Sequence, residues 1–250
     1  MIATMLALTL VAHPRPFPFT YVYPSMPAGA LELEQYVDMI PLLRERENVD
    51  GTLEGIMTMR FALQTEIELG ITDRIELGFY LVANQNAQTQ VLQFDGLKQR
   101  VKVRLFEQGE LPVDIALYGE IAELVDEFEI EEKVILSTRT GPLIIAANLW
   151  FEQEYVYGDR WKVLFNPTAG VSLELSPHVN IGVEGWMRGS FTTGGEPTHG
   201  FVGPILMAQL GEYWATLGGY LRLDDFGTPL VVGQQFGALY FRAIVGIGLH

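Results

Sequence analysis

Four cations stand at alternate positions in one stretch: Lys98, Arg100, Lys102 and Arg104, with Val101 and Val103 in the opposite phase. Side chains of an extended strand alternate between its two faces, so all four charges point the same way. Such a row attracts or repels small charged solutes, or pairs with carboxylates beside it. The matching phase of the flanking stretches holds Glu76 on one side and Asp114 and Glu120 on the other, which favours cross-strand ion pairs. Support for nucleophilic or metal chemistry is thin. The histidines are His13, His178, His199 and His250. Ser176 and His178 flank Pro177, an arrangement that a turn explains fully. His199 precedes Asp224 and Asp225 on neighbouring loops, without the spacing of a metal motif. No phosphate-binding glycine loop is present. Without cysteine there is neither a thiolate metal site nor a disulfide framework. No catalytic residue, metal or cofactor is expected.

The element that carries such a row is a long strand, and 61–84 shows it most clearly. Phe61, Leu63, Thr65, Ile67, Leu69 and Ile71 alternate with Gln64, Glu66, Glu68 and Gly70. After Thr72-Asp73-Arg74 the alternation resumes, with Ile75, Leu77, Phe79 and Leu81 set against Glu76, Gly78 and Tyr80. Two alternating runs joined by a few polar residues form an antiparallel hairpin. The arms exceed the roughly 5–6 residues of a typical soluble strand and match the roughly 9–11 that cross a bilayer at a tilt. About twelve such segments follow from Gly29 onward, among them 74–84, 91–106, 161–175 and 231–249. Short turns at Thr72-Asp73, Gln108-Gly109-Glu110, Gly141-Pro142, Ser176-Pro177-His178 and Gly211-Glu212 alternate with longer loops such as 44–51, 85–90, 192–200 and 224–229. Short turns at one end and longer loops at the other mark an outer-membrane barrel with its short turns in the periplasm. The expected fold is all-β, an antiparallel up-and-down transmembrane β-barrel of about twelve strands over residues 29–250. An even strand count places both termini in the periplasm.

A cation on the lipid face near the midplane costs roughly 2–4 kcal/mol, so the Lys98–Arg104 row belongs to the lumen. The same reasoning places Glu66, Glu68, Glu76, Asp114, Glu120, Asn148, Glu152, Glu154, Glu174, Glu184, Arg188, Arg222 and Arg242 inside. It places Leu239, Phe241, Ala243, Val245, Ile247 and Leu249 outside. Two functions fit that interior. One is passive passage of small polar or aromatic solutes, with selectivity set by the charges; the other is a structural or adhesion barrel whose charges neutralise one another. A hydrolase has least support. Net charge is −15 with a pI near 4.6, which excludes a nucleic-acid partner, because phosphate binding needs a basic surface. The expected partners are outer-membrane lipid, a small solute and the barrel-assembly machinery.

Residues 1–12, MIATMLALTLVA, have the apolar core of a secretory signal, with Ala12 as its cleavage point. Residues 13–28, HPRPFPFTYVYPSMPA, hold Pro14, Pro16, Pro18, Pro24 and Pro27. Proline donates nothing to a ladder, so this segment is expected to be an extended periplasmic leader outside the sheet, linking signal to barrel. The pattern Glu-x-Gly-x-Thr-Asp-Arg-x-Glu, here Glu68, Gly70, Thr72, Asp73, Arg74 and Glu76, resembles the hairpins of bacterial outer-membrane transporter-like barrels of the MetA-type phenol-degradation-pathway family. LSPHVNIGVEGW is a weaker echo of the same unit. The resemblance implies an outer-membrane location and transport of a small solute, and it brings no catalytic residues. One departure is the Gly-Leu-His ending, where many such barrels end in an aromatic residue read by the assembly machinery.

Overall fold

The computed structural model describes residues 12–86, 89–159, 161–190, 198–224 and 237–249. The signal-like residues 1–11, Asp225, the start of the last expected segment (231–236) and His250 lie outside the described residues. The strands are β1 (Leu31–Glu47), β2 (Leu53–Thr72), β3 (Ile75–Gln85), β4 (Leu92–Arg104), β5 (Asp114–Leu124), β6 (Glu127–Thr140) and β7 (Leu143–Val156). They continue with β8 (Trp161–Phe165), β9 (Thr168–Ser176), β10 (Val179–Ser190), β11 (His199–Leu210), β12 (Tyr213–Arg222) and β13 (Leu239–Leu249). β1 pairs with β13 as well as with β2, which closes the antiparallel sheet into a barrel. β8 and β9 share one position between β7 and β10. Phe151 faces Phe165 and Asn148 faces Thr168 in a single register. The ladder lapses only at Asn166-Pro167, where proline has no N–H to give. The expected stave 161–175 is therefore one stave with a break, and the barrel has twelve positions.

Leu31 lies opposite both Leu249 and Leu69. The barrel's two chain ends thus meet the connections 73–74, 105–113, 141–142, 177–178 and 211–212 at one end, here termed the turn end. The remaining connections gather at the opposite end, here termed the loop end; the lengths depart from the expected alternation twice, since 105–113 is long at the turn end and 125–126 is short at the loop end. Outside, Ile67, Phe79, Leu81, Ile121, Val183 and Val245 are each about half exposed. Leu239, Phe241 and Leu249 join them, with Ala243 and Ile247 partly covered. Inside, carboxylates and guanidinium groups are buried. A greasy exterior around a charged interior inverts the soluble arrangement and suits a bilayer. One outward residue departs from that pattern. Glu132 is exposed in the middle of the β6 row of Phe128, Ile130, Val134 and Leu136, and accepts a long bond from Gln153 Nε2 at 3.3 Å. The tryptophans divide: Trp161 is exposed, Trp186 and Trp214 are buried, and Trp150 lines an internal cavity.

The Pro-rich leader stays out of the ladder, as its prolines require, but it is not a linker outside the barrel. Phe17, Phe19, Tyr23 and Met26 are buried, and Phe19 packs on Trp186, Tyr220 and Tyr240 within the barrel's largest apolar cluster.

Candidate functional site

The leader's backbone finds its partners on the barrel wall. His13 N donates to Glu32 Oε2 at 2.8 Å, close to the turn end of β1. Phe19 N and Thr20 N donate to Glu184 Oε1 at 3.0 and 2.6 Å. Tyr21 N donates to Asn148 Oδ1 at 2.7 Å, and Asn148 Nδ2 returns a bond to Tyr21 O at 3.0 Å. Tyr23 N reaches Ser137 Oγ at 3.0 Å, and Met26 N reaches Glu76 Oε2 at 2.9 Å. The segment therefore rises into the lumen from the turn end, turns over near Phe19 and returns to that end. Buried backbone groups must be paired. Here side chains of the wall do what a neighbouring strand would otherwise do. Gly170 makes the room: a Cβ there would strike the Phe17 ring.

The Glu68–Glu76 motif seats the leader's exit. Gly29 N donates to Gly70 O at 2.7 Å, and a Cβ on Gly70 would collide with the Pro27 carbonyl. Asp73 Oδ1 accepts from Ala28 N at 3.3 Å. Thr72 Oγ1 accepts from Arg74 N and Ile75 N at 3.1 and 3.0 Å, shaping the turn. Arg74 bonds Glu107 across to the next connection, and that hydrogen bond together with the guanidinium charge holds the Glu107 carboxyl below the usual range.

Behind the leader lies a buried charge network. Arg100 Nε bonds Glu66 Oε1 at 2.6 Å, Nη1 bonds Glu76 Oε1 at 2.6 Å, and Nη2 bonds Glu68. Its Nε also reaches Tyr80 OH at 2.9 Å. Arg100 faces Glu120 in the β4–β5 register, yet its guanidinium goes the other way, through the gap above Gly78, where a Cβ would strike it. Lys102 Nζ donates to the Pro24 carbonyl at 2.5 Å and lies 3.9 Å from Glu76. The leader's Arg15 adds a cation, 3.5 Å from Glu34 and bonded to Tyr36 OH, with its guanidinium 4.0 Å from the Tyr21 ring centre. Wall carboxylates Glu32, Glu34, Glu66, Glu68 and Glu76 thus share cations from the wall and from the leader.

The other expected lumen residues distribute as follows. Lys98 lies 3.3 Å from Glu120, 3.1 Å from Glu129 and 3.8 Å from Glu131. Arg188 bonds Glu152 and Glu154. Arg242 holds Asp38 through two bonds of 2.6 Å and covers the Phe19 ring at 3.8 Å. Glu184 receives the leader and Tyr220 OH. Four residues sit nearer the ends. Arg104 bonds the Asp73 carbonyl, Asp114 Oδ1 accepts from Gly109 N at 2.7 Å, Glu174 pairs with Arg139, and Arg222 Nε reaches Asp224 O at 3.1 Å. Glu32, Glu34, Asp38, Glu129, Glu131 and Lys133 belong to the same interior. The alternation in LELEQYVD and EFEIEEKV carries the signal that would have found them.

Serine and histidine form no nucleophile at the Pro177 turn: the His178 backbone N donates to Ser176 Oγ at 3.3 Å. His199 Nδ1 is 2.7 Å from Asp224 Oδ2 at the loop end, and Gly200 N donates to the same carboxylate at 3.1 Å. Burial raises the Asp224 carboxyl, but these two bonds prevail and hold it below its ordinary value.

Cavities run along the lumen, pinch beside the leader and widen again at the turn end. A loop-end vestibule of about 210 Å³ is floored by Phe19 and walled by Lys98, Trp150, Glu152, Arg188 and Arg242. Lys98, Trp150 and Arg242 also line the next void, of about 80 Å³, which reaches Arg15 and Tyr21. Arg15 and Tyr21 in turn line a third, of about 10 Å³, beside Glu76 and Lys102. A void that size holds one water at most. Beyond it, His13 and Val22 border a turn-end cavity of about 120 Å³.

No protein-family model and no curated protein matches the chain. Among solved structures, an outer membrane channel from Pseudomonas putida F1 overlays with a TM-score of 0.68 at 7% identity, over 91% of this chain and 98% of that one. The fold is that of a bacterial outer-membrane β-barrel. OmpT, an outer membrane protein of Vibrio cholerae, matches with a TM-score of 0.40 at 9% identity, over 90% and 99% of the two chains. An anion-selective porin from Comamonas acidovorans matches with a TM-score of 0.38 at 9% identity, over 87% and 98%.

Proposed function

We propose that this barrel resides in the outer membrane, with its turn end and both termini in the periplasm, and passes small polar or aromatic solutes through the lumen. The observation that carries the reading is the chain of cavities through the lumen, interrupted where the leader lies. An eight-stranded barrel fills with its own side chains. Here twelve positions leave an interior too wide for that, and a separate segment occupies it. A plug made of leader rather than wall leaves a path when it moves. The vestibule offers aromatic faces and both signs of charge to an arriving solute, without a cofactor and without a catalytic group.

The pinch near Arg15 and Tyr21 favours a second reading, a barrel that is permanently filled and serves structure. Planar-bilayer recordings separate the two. The full chain is expected to be closed most of the time. A variant lacking residues 13–26 is expected to show discrete, sustained conductance steps. Silence from that variant, refolded and running as a heat-modifiable barrel, removes the channel reading and leaves the structural one.

A further inference from the structure

A groove of about 420 Å³ opens on the outer wall, floored by Gly119 on β5 and bordered by Phe79, Val101, Ile130 and Glu132. It exists because residue 119 has no side chain. A Cβ there would meet nothing closer than Val101 Cγ1 at 4.0 Å, whereas one on Gly70, Gly78 or Gly170 would strike its neighbours. Its φ is not positive either. A single barrel therefore has no need of glycine at this position.

Two polar side chains flank the groove. Gln99, in the outward phase of β4, is exposed, and its side-chain amide has no partner among the described residues. Glu132 receives only the long bond from Gln153 Nε2 at 3.3 Å. In hydrocarbon no water replaces a missing partner, so both groups are costly there. The outward pair Gln35 and Thr65 shows the contrast. Gln35 Nε2 donates to Tyr36 O and Gln64 O at 2.9 and 3.1 Å, and its Oε1 accepts from Thr65 Oγ1 at 2.7 Å.

Leu31, Leu69, Leu77, Val101, Gly119 and Glu132 lie in one cross-strand row. The row starts at the turn end on β1 and reaches the middle of β6, so rows climb toward the loop end with each strand, as tilted strands require. Gln99 stands two residues loop-ward of Val101 and two strands before Glu132. Its displacement along β4 offsets the climb. Gln99 and Glu132 thus face lipid at similar depth, on either side of β5.

Two copies in one membrane share an orientation, so a two-fold axis relating them runs along the membrane normal and sets equal depths against each other. An axis beside Gly119 and Ile121 brings Gln99 of each copy to Glu132 of the other. Amide donor then meets carboxylate acceptor twice, as an isologous contact demands. Glycine lets the two walls approach, and hydrogen bonds across the contact replace partners that lipid lacks. An acyl chain would fill the groove but give Glu132 no donor and Gln99 no acceptor.

We infer that the β4–β6 wall is a dimer interface, with a second copy of this chain seated on the Gly119 groove and Gln99 bonded to Glu132 across it. Such an interface rests on the outer-membrane reading of the wall and exists whether or not the lumen conducts.

The lack of native cysteine makes the test direct. Ile121→Cys, next to the axis, should form a disulfide-linked dimer when oxidised in lipid vesicles. Val245→Cys, exposed on β13, should stay monomeric. Energy transfer between barrels labelled at Val245→Cys should rise and saturate at two copies as the protein-to-lipid ratio increases. In that background Gln99→Leu and, separately, Gly119→Leu should weaken pairing roughly tenfold. Glu132→Leu separates pairing from the barrel's own stability: it should weaken pairing as much, yet stabilise the barrel diluted in lipid. Heat-modifiable migration verifies that each variant is folded. Folded protein that stays monomeric at every ratio leaves the groove to lipid and overturns the assignment. So does assembly in threes, or pairing that the variants leave unchanged.

Discussion

Arg100 shows how much of the interior hangs on one side chain. It is fully buried, and three carboxylates from β2 and β3 converge on its guanidinium. Breaking a buried ion pair by removing one partner costs about 3–5 kcal/mol, and here three acids would be left behind. Arg100→Met is therefore expected to refold poorly and to lose its heat-modifiable migration in gels. Arg104→Met, from the same alternating row, should cost less, about 1 kcal/mol, because that guanidinium meets a turn carbonyl and the Tyr23 ring, 5.4 Å away, near the rim and holds no carboxylate there. Similar losses for the two would mean that the row acts as a unit. The row itself was legible in the sequence, as was the side it faces. Its partners were legible only in part. Two of the flanking carboxylates do pair with the row, Glu76 with Arg100 and Glu120 with Lys98, but over Gly78 the long Arg100 side chain also reaches past its neighbouring strand to Glu66 and Glu68 on β2. A glycine opposite an arginine is visible in sequence only once the register is known.

At the level of elements, the period-two pattern carried nearly everything. Strand count and the outer face follow from it, and even the interrupted β8–β9 stave keeps its register through Asn166-Pro167; connection lengths do not, since 105–113 is long at the turn end and 125–126 short at the loop end. Glu132 breaks the pattern, since it shares a phase with Ile130 and Val134 and faces outward. A charged residue on the lipid face costs less when acidic than when basic, and most at the midplane. Glu132→Leu should therefore raise the urea midpoint of the barrel in lipid vesicles, whereas Ile121→Arg, on the outer face of β5, should lower stability by about 2–4 kcal/mol. A fall in the midpoint for Glu132→Leu would show that the carboxylate contributes a needed contact through Gln153. The leader was half legible. Its prolines announced a segment that joins no ladder, but nothing local in HPRPFPFTYVYPSMPA says which surface receives it. That depends on the barrel's width and on acceptors as distant in sequence as Asn148 and Glu184.

For the whole molecule, the barrel and its leader are two parts joined by a small set of contacts, and on the proposed reading the balance between them decides whether the lumen is open. Arg15 is the leader's one buried cation, and it answers an acidic wall on β1 and β2. Arg15→Met removes that attraction without touching the barrel's own cations, so openings in a planar bilayer should become more frequent than in the parent chain. The absence of native cysteines allows the converse experiment in the same background. Tyr23 N lies 3.0 Å from Ser137 Oγ, which brings the two positions near the span a disulfide needs, about 4.4–6.8 Å between Cα atoms. Tyr23→Cys with Ser137→Cys, oxidised and verified by mass, should abolish the added openings, and reductant should restore them. Openings that persist with the crosslink complete would show that ions bypass the leader's seat at Tyr23, and the path would then have to be sought beside the leader's other contacts, at Glu184 and Asn148.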